Sequence, residues 1–268
     1  MRGAFDTHAH LCGDTLWSEV PQILERAKSA GLEGVVVIAT SFEEAERCLS
    51  LKKNYNELPN IYLAAGTHPH DAGAFSFEHF KPIETLANQK KLVAIGEIGL
   101  DYFYDHSPKE QQKEVLKYQL DVALRNNLPI IVHCREAFED FFACIDQYYQ
   151  VNHRHGPGVL HCFTGNLDEA NECLKRGLYI SFSGILTFKK SVALQEIAKK
   201  VPLEHLLIET DAPFLAPQSK RGKQNEPSYV VEVAQMIASL KGLSIEDVLE
   251  KTTKNARDFF RITTRTPM

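Results

Sequence analysis

The chain has 268 residues, 44% of them hydrophobic, and a formal net charge of −5. That is the size of one α/β barrel domain with a large core, and the acidic balance excludes a surface built throughout for nucleic acid, so any phosphate-handling surface must be local. No run of 18 apolar residues occurs and Met1 to His10 lacks a basic segment followed by an apolar one, so neither a membrane span nor a secretory leader is expected and the cytoplasm is the expected compartment.

Short apolar or β-branched runs recur at about 4–10, 34–40, 61–67, 92–98, 128–134, 157–163, 178–184 and 205–211, each with the length and content of a buried parallel strand. The first closes on His8 and His10. Alternate residues of a strand share a face, so Asp6, His8 and His10 are expected to point the same way. After the second run, Ser41 with Glu44 predicts a capped helix. The third ends at His68, ahead of Pro69, and the fourth carries Glu97. Ser107-Pro108-Lys109-Glu110 then supplies an N-cap serine, a proline at the first helical position and a capping-box glutamate. Leu116, Leu120, Ala123 and Leu124 fall on one face of the helix so opened.

The fifth run ends on His133 and the sixth on His161. Cys134 and Cys162 follow directly and by alternation turn outward, as core filler. Asn166 with Glu169 repeats the helix-cap pattern, and the eighth run holds Glu209 and Asp211. An irregular, proline-containing stretch from Ala212 to Pro227 comes next. The last helical pattern, Ser244 to Arg261, bears an apolar stripe of Ile245, Val248, Leu249, Thr252 and Ala256. The six cysteines (Cys12, Cys48, Cys134, Cys144, Cys162, Cys173) form no CxxC pair and read as reduced thiols.

Strand and helix alternating eight times, without a linker or composition shift, predict one domain over 1–268. The expected fold is α/β, a (β/α)8 TIM barrel of parallel strands with a C-terminal helix. An open doubly wound sheet would not bring the ends of the first, fourth, fifth, sixth and eighth strands to one point, whereas a closed ring does.

A lone histidine at a strand end is more often scaffolding than a ligand. Here His8, His10, Glu97, His133, His161 and Asp211 all end strands on one side of the expected barrel. Imidazole with carboxylate suits first-row divalent cations, whereas a thiolate-rich set would suggest a closed structural zinc site. Six donors exceed the need of one tetrahedral ion and suit two that share a bridging carboxylate. Glu97 is the expected bridge, with His8, His10 and Asp211 on one ion and His133 and His161 on the other.

Phe5-Asp-Thr-His-Ala-His-Leu, Gly66-Thr-His-Pro-His, Ile95-Gly-Glu-Ile-Gly-Leu-Asp-Tyr, Pro129-Ile-Ile-Val-His-Cys-Arg, Leu160-His-Cys-Phe-Thr-Gly, Leu207-Ile-Glu-Thr-Asp-Ala-Pro and Arg221-Gly-Lys-Gln-Asn-Glu-Pro occur in that order. The series resembles the TatD-type metal-dependent deoxyribonucleases, TIM-barrel members of the wider metal-dependent hydrolases. The resemblance implies that the six donors are the metal ligands, that His68 binds or protonates the phosphate, and that Glu209 is an acid needed for activity. It implies exonuclease or abasic-site cleavage of DNA, commonly with magnesium or manganese. Two divalent cations (magnesium, manganese or zinc) are the expected cofactors, and a recessed metal pair favours a single-stranded or frayed substrate that can thread inward. Some relatives have been linked to removing D-amino acids from transfer RNA, so a metal-dependent deacylase or amidohydrolase is the alternative.

For phosphodiester hydrolysis, two ions would lower the pKa of a shared water and clamp an in-line displacement, with Asp211 orienting the attacking hydroxide. Arg135, Lys220, Arg221 and Lys223, next to the expected mouth, are candidate phosphate-binding residues. Tyr102, Phe103, Tyr104, Phe163, Phe188 and Phe214 lie near strand ends and are candidates for stacking on bases. No obligate protein partner is evident.

Overall fold

The structure, a computed structural model, describes residues 3–55, 59–104, 106–149 and 157–262. Eight strands, β1 (Ala4–Ala9), β2 (Leu32–Ala39), β3 (Asn60–Ala65), β4 (Ala94–Asp101), β5 (Ile130–Arg135), β6 (Gly158–Leu160), β7 (Tyr179–Phe182) and β8 (Leu206–Ile208), pair in chain order, all parallel. Just past β8 the ring is drawn shut. The Asp211 N–H donates to the His8 carbonyl at 2.9 Å and the His10 N–H to the Ala212 carbonyl at 2.7 Å, while Ala9 and Ala212 form a parallel bridge. This is a TIM barrel with the last helix, Ile245–Phe260, at the C-terminal side of the sequence.

Each expected run contains a strand, but several end elsewhere. β4 continues to Asp101, beyond the expected end at 98, while β3, β6 and β8 stop at Ala65, Leu160 and Ile208. His68, His161, Glu209 and Asp211 therefore sit in the turns after their strands. The cause is competition for backbone amides, because a donor spent on a side chain cannot extend a ladder. The N–H of Thr67 goes to Gln119 Oε1 at 2.7 Å, that of Cys162 to Glu209 Oε1 at 2.6 Å, and that of Thr210 to Asp6 Oδ1 at 2.9 Å. Asp6, expected beside His8 and His10, is occupied by that amide and by the Thr210 hydroxyl at 2.6 Å.

Phe5, Val36, Ile38, Ala64, Ala94, Ile131, Val159 and Leu207 form one apolar cluster. Residues from strands around a ring can meet only inside it, so these fill the barrel. Ala256, Phe259 and Phe260 of the last helix join them. Asn255 of that helix donates to the carbonyl of Leu206, the first residue of β8, at 2.9 Å, so the plug sits where the strands begin. The stripe expected on this helix is real: Val248, Leu249, Thr252 and Ala256 are buried. A second, larger cluster including Val35, Val37, Leu63, Leu116 and Leu120 lies between sheet and helices. With one end of the barrel sealed by aromatic rings, polar side chains gather at the other.

The helix caps follow the sequence at Ser41 and Asn166, Asn166 with Glu169 makes the full reciprocal box, and Ser244 caps the last helix as well. Ser107 does not cap. The helix Lys109–Asn126 starts after Pro108 without a side-chain cap. The Ser107 hydroxyl instead accepts the Gly73 N–H at 2.8 Å and donates to the His70 carbonyl at 2.6 Å. It fastens the loop after β3, which carries His68 and His70, to the start of that helix. No helix among the described residues is long and apolar enough to cross a membrane.

Candidate metal centre

Glu97, in the middle of β4 and 3% exposed, is the hub of the polar end. Its two carboxylate oxygens face different groups. Oε2 lies 3.4 Å from His8 Nε2 and 3.6 Å from His10 Nε2. Asp211 Oδ1 closes that set, 3.7 Å from His8 Nε2 and 3.5 Å from His10 Nε2. Oε1 lies 2.6 Å from His161 Nε2, 3.2 Å from His133 Nδ1 and 3.4 Å from His68 Nε2. The six donors expected from the sequence thus converge, and His68 stands beside them. The link between β1 and the tail of β8 that closes the ring is also what brings His8, His10 and Asp211 together.

The imidazoles are aimed from behind. Asp101 Oδ2, at the end of β4, lies 2.8 Å from His133 Nε2 and 3.0 Å from His70 Nε2. Its other oxygen accepts the N–H groups of Phe103 at 3.0 Å and Tyr104 at 2.9 Å. With Asp101 accepting from Nε2–H, His133 turns its Nδ1 lone pair toward Glu97. Glu209 does the same for His161, 3.2 Å from Nδ1, leaving Nε2 to face the hub. Glu209 is 1% exposed and stands behind His161, so it touches the ring and not the open recess. His68 Nδ1 accepts the His70 N–H at 3.1 Å, so in the neutral ring Nε2 bears the hydrogen and points into the recess. Asp101 and His70 were not singled out from the sequence. The available signal was the carboxylate within Gly96-Glu-Ile-Gly-Leu-Asp, on the same strand as Glu97.

Ionisation follows from this packing. Burial pushes the Glu97 carboxyl up, but His161, His68 and His133 outweigh it and hold it well below the usual carboxylate range. Burial likewise opposes the charge on His161, and Glu97 with Glu209 overcomes it, holding that ring well above the usual imidazole range. Asp101 is buried too, yet bonds from His133, the Tyr104 N–H and His70 keep it below its ordinary value. Glu97 and Asp101 therefore stay anionic near neutral pH, the state a cation requires.

The donor set fits metal ions. His8 Nε2 and His10 Nε2 face each other at 3.1 Å, and only one proton can lie between two imidazole nitrogens. His161 Nε2 is buried, and its 2.6 Å contact with Glu97 lacks the angles of a hydrogen bond, which leaves the nitrogen unsatisfied. A metal ion bound here would displace the protons from these nitrogens and partner them instead. Three groups of donors close enough to share an ion occur among the described residues: His8, His10 and Asp211; His8, Glu97 and His161; and His68, His70 and His133.

The cluster lies under an open recess of about 830 Å³, lined by His10, His68, Glu97, His133, His161 and Asp211 and by residues of the surrounding loops. Arg135 is part of that lining. Its guanidinium stacks 3.8 Å from the Phe103 ring centre and 4.9 Å from that of Tyr104, and it makes no ion pair among the described residues. Lys220, Arg221 and Lys223 do not line the recess; they lie on the loop after β8, with Arg221 and Lys223 exposed. Cys134 is buried in the larger apolar cluster, as expected, and also edges the recess, whereas Cys162 is not outward-facing filler. With β6 ending at Leu160 the alternation is broken, Cys162 takes φ 42°, and it reaches the recess lining with its sulfur 3.2 Å from Ser183 Oγ. Among the aromatics, Phe214 lines the recess at 58% exposure and Phe103 and Tyr104 stay open beside Arg135, whereas Phe163 is buried in the core.

A sequence profile of the family described as TatD related DNase matches residues 5–261. The chain is 43% identical over 258 residues to the uncharacterized metal-dependent hydrolase YabD of Bacillus subtilis, a match covering 96% of this chain and 99% of that one. It is 34% identical over 264 residues to the 3'-5' ssDNA/RNA exonuclease TatD of Salmonella typhimurium, with coverages of 96% and 99%. Among solved structures it resembles YjjV, a TatD homologue from Escherichia coli K12, with a TM-score of 0.89 and 29% identity over 97% of this chain and 98% of that one.

Proposed function

The chain belongs to the TatD related DNase family of metal-dependent hydrolases, and from that premise we propose that it hydrolyses phosphodiester bonds at the ends of single-stranded DNA with two divalent cations. The observation that carries this reading is the division of Glu97, one oxygen toward His8 and His10 and the other toward His133 and His161. His8, His10, Asp211 and Glu97 would hold one ion, and His133, His161 and Glu97 the other. Ions there would supply Lewis-acid activation of water and neutralisation of phosphoryl oxygens. The carboxylate donors suit magnesium and manganese, and the imidazole donors suit zinc.

The protein's own groups do the rest. His68 presents an Nε2–H to a phosphoryl or leaving oxygen. Asp211, 9% exposed at the floor of the recess, accepts a proton from the attacking water and orients it. Arg135, in no ion pair among the described residues and packed against the Phe103 and Tyr104 rings, offers a guanidinium fork to a phosphate. Asp101 and Glu209 are positioning residues, each fixing the tautomer and angle of one imidazole. The donors lie in the lining of a recess, which favours a strand end that can be fed inward. The relative from Salmonella typhimurium, named as a single-strand exonuclease, supports the same direction.

The test is single-turnover cleavage of an end-labelled single-stranded oligodeoxynucleotide with manganese. His133→Ala is expected to cut about 10²-fold more slowly, as for loss of one preorganised electrostatic contact; equal rates would remove the reading. A D-aminoacyl-tRNA substrate run alongside decides against the deacylase alternative, which wins if its catalytic efficiency is much the greater. Asp101→Asn supplies a second prediction. The amide keeps the shape but cannot accept equally from two imidazoles, so metal affinity should fall about 10–100-fold, read by titration of the chelated protein, with the melting temperature little changed.

A further inference from the structure

We propose that single-stranded nucleic acid leaves the recess across the rim built by the loops after β7 and β8, whose cations hold the phosphates of nucleotides lying outside; this rests on the nuclease reading above. Two loops make this rim, and they are locked together. The Gln218 N–H donates to Thr187 Oγ1 at 2.7 Å, and the Arg221 guanidinium lies 4.7 Å from the centre of the Phe188 ring. Lys189 and Lys190 from one loop thereby join Lys220, Arg221 and Lys223 from the other.

The charge of this rim departs from that of the chain. Neither 183–195 nor 212–225 contains an acidic residue, although the whole protein carries −5. None of the five cations makes an ion pair among the described residues; Lys220 rests over the Tyr229 ring at 5.4 Å. Around the rest of the mouth the sign reverses. Asp14, Glu44 and Asp71 line the recess from the segments that follow β1, β2 and β3. Asp14 is offset by Arg47 at 2.6 Å, whereas Glu44 and Asp71 make no ion pair among the described residues. A polyanion is turned away on that side and held on the other.

The basic rim is also continuous with the metal centre. Phe214 and Leu215, in the same loop as Lys220 and Arg221, line the recess. The Phe214 ring is 58% exposed and 6.1 Å from the His10 ring, which leaves a face for a base directly above the donors. A strand whose end is at the metals thus meets first an aromatic face and then unpaired cations. A substrate confined to the recess would use none of the latter.

The experiment compares the metal-loaded wild type with Lys189→Ala/Lys190→Ala/Arg221→Ala, and with Lys53→Ala/Lys91→Ala/Lys200→Ala as a control of equal charge change. Affinity for a phosphorothioate 12-nucleotide oligothymidylate is measured by anisotropy across a salt series, beside manganese-dependent cleavage of the ordinary 12-mer and of a dinucleotide. Three lost phosphate contacts should make the slope of log affinity against log salt shallower by about 2, at roughly 0.7 per contact on a single strand. Low-salt affinity should fall at least about tenfold, and cleavage of the 12-mer should lose at least about tenfold more than cleavage of the dinucleotide. An unchanged slope, or an equal loss in the control, overturns the exit path. Absence of 12-mer cleavage by the wild type sinks the nuclease reading instead, and a slope change seen in that case would leave the nucleic-acid rim standing.

Discussion

Glu97→Ala should abolish the hydrolase while leaving the barrel folded. The side chain is not part of either apolar cluster; its contacts are His8 and His10 through Oε2 and His161, His133 and His68 through Oε1. On the two-ion reading, losing a peripheral ligand such as His10 would weaken one ion, whereas losing a carboxylate shared by both would weaken two. The expected result is a metal content near zero or one ion per chain after dialysis, by elemental analysis, and a single-turnover rate on single-stranded DNA lower by on the order of 10³-fold or more. That exceeds the 10–100-fold of a supporting residue such as Asp101 and reaches the upper range for a single electrostatic contact. Unchanged far-ultraviolet circular dichroism would separate this loss from unfolding. Two ions retained with a rate within tenfold of wild type would show that Glu97 bridges nothing.

Much of this centre was legible in the sequence, and for a definite reason. His8, His133 and His161 each follow apolar residues that can only be buried, so alternation alone indicated where their side chains should gather. The alternation argument failed where a side chain took over a backbone amide. Asp6 was expected to point the same way as His8 and His10, and its carboxylate is instead taken up by Thr210. Cys162 was expected to face outward, but Glu209 captures its N–H and ends β6 early, so the next residues no longer alternate. His68 was expected at the end of β3 and lies in the turn beyond, where Gln119 takes the Thr67 N–H. These captures depend on contacts between residues far apart in the chain, which no local pattern encodes. Asp101 escaped notice in a related way. β4 had been expected to end at 98, and a carboxylate followed by Tyr102, Phe103 and Tyr104 reads as a turn, not as the residue that holds two imidazoles from behind.

Gly99→Ala should be the most destabilising single methyl added to this site. β4 holds His133 from two positions: Glu97 Oε1 is 3.2 Å from Nδ1 and Asp101 Oδ2 is 2.8 Å from Nε2. Gly99 lies between those two carboxylates and pairs in register with His133 itself. For both carboxylates to reach one ring, the strands must come very close at that point. A Cβ on Gly99 would stand 1.8 Å from the His133 carbonyl oxygen, and the glycine has φ +147°, a conformation that side chains rarely adopt. Backbone on backbone offers no rotamer by which to escape, so β4 and β5 must part. A loss above about 4 kcal/mol is expected, in the tail of single-substitution effects, measured from the urea midpoint or seen as failure to recover folded protein. Gly222→Ala is the matched control. Its φ is also positive, at +83°, but nothing lies within 4 Å of its would-be Cβ, so only the conformational penalty of about 1–2 kcal/mol remains. If Gly99→Ala unfolds no more readily than Gly222→Ala, the two strands are farther apart than described, and Glu97 and Asp101 cannot both be holding His133.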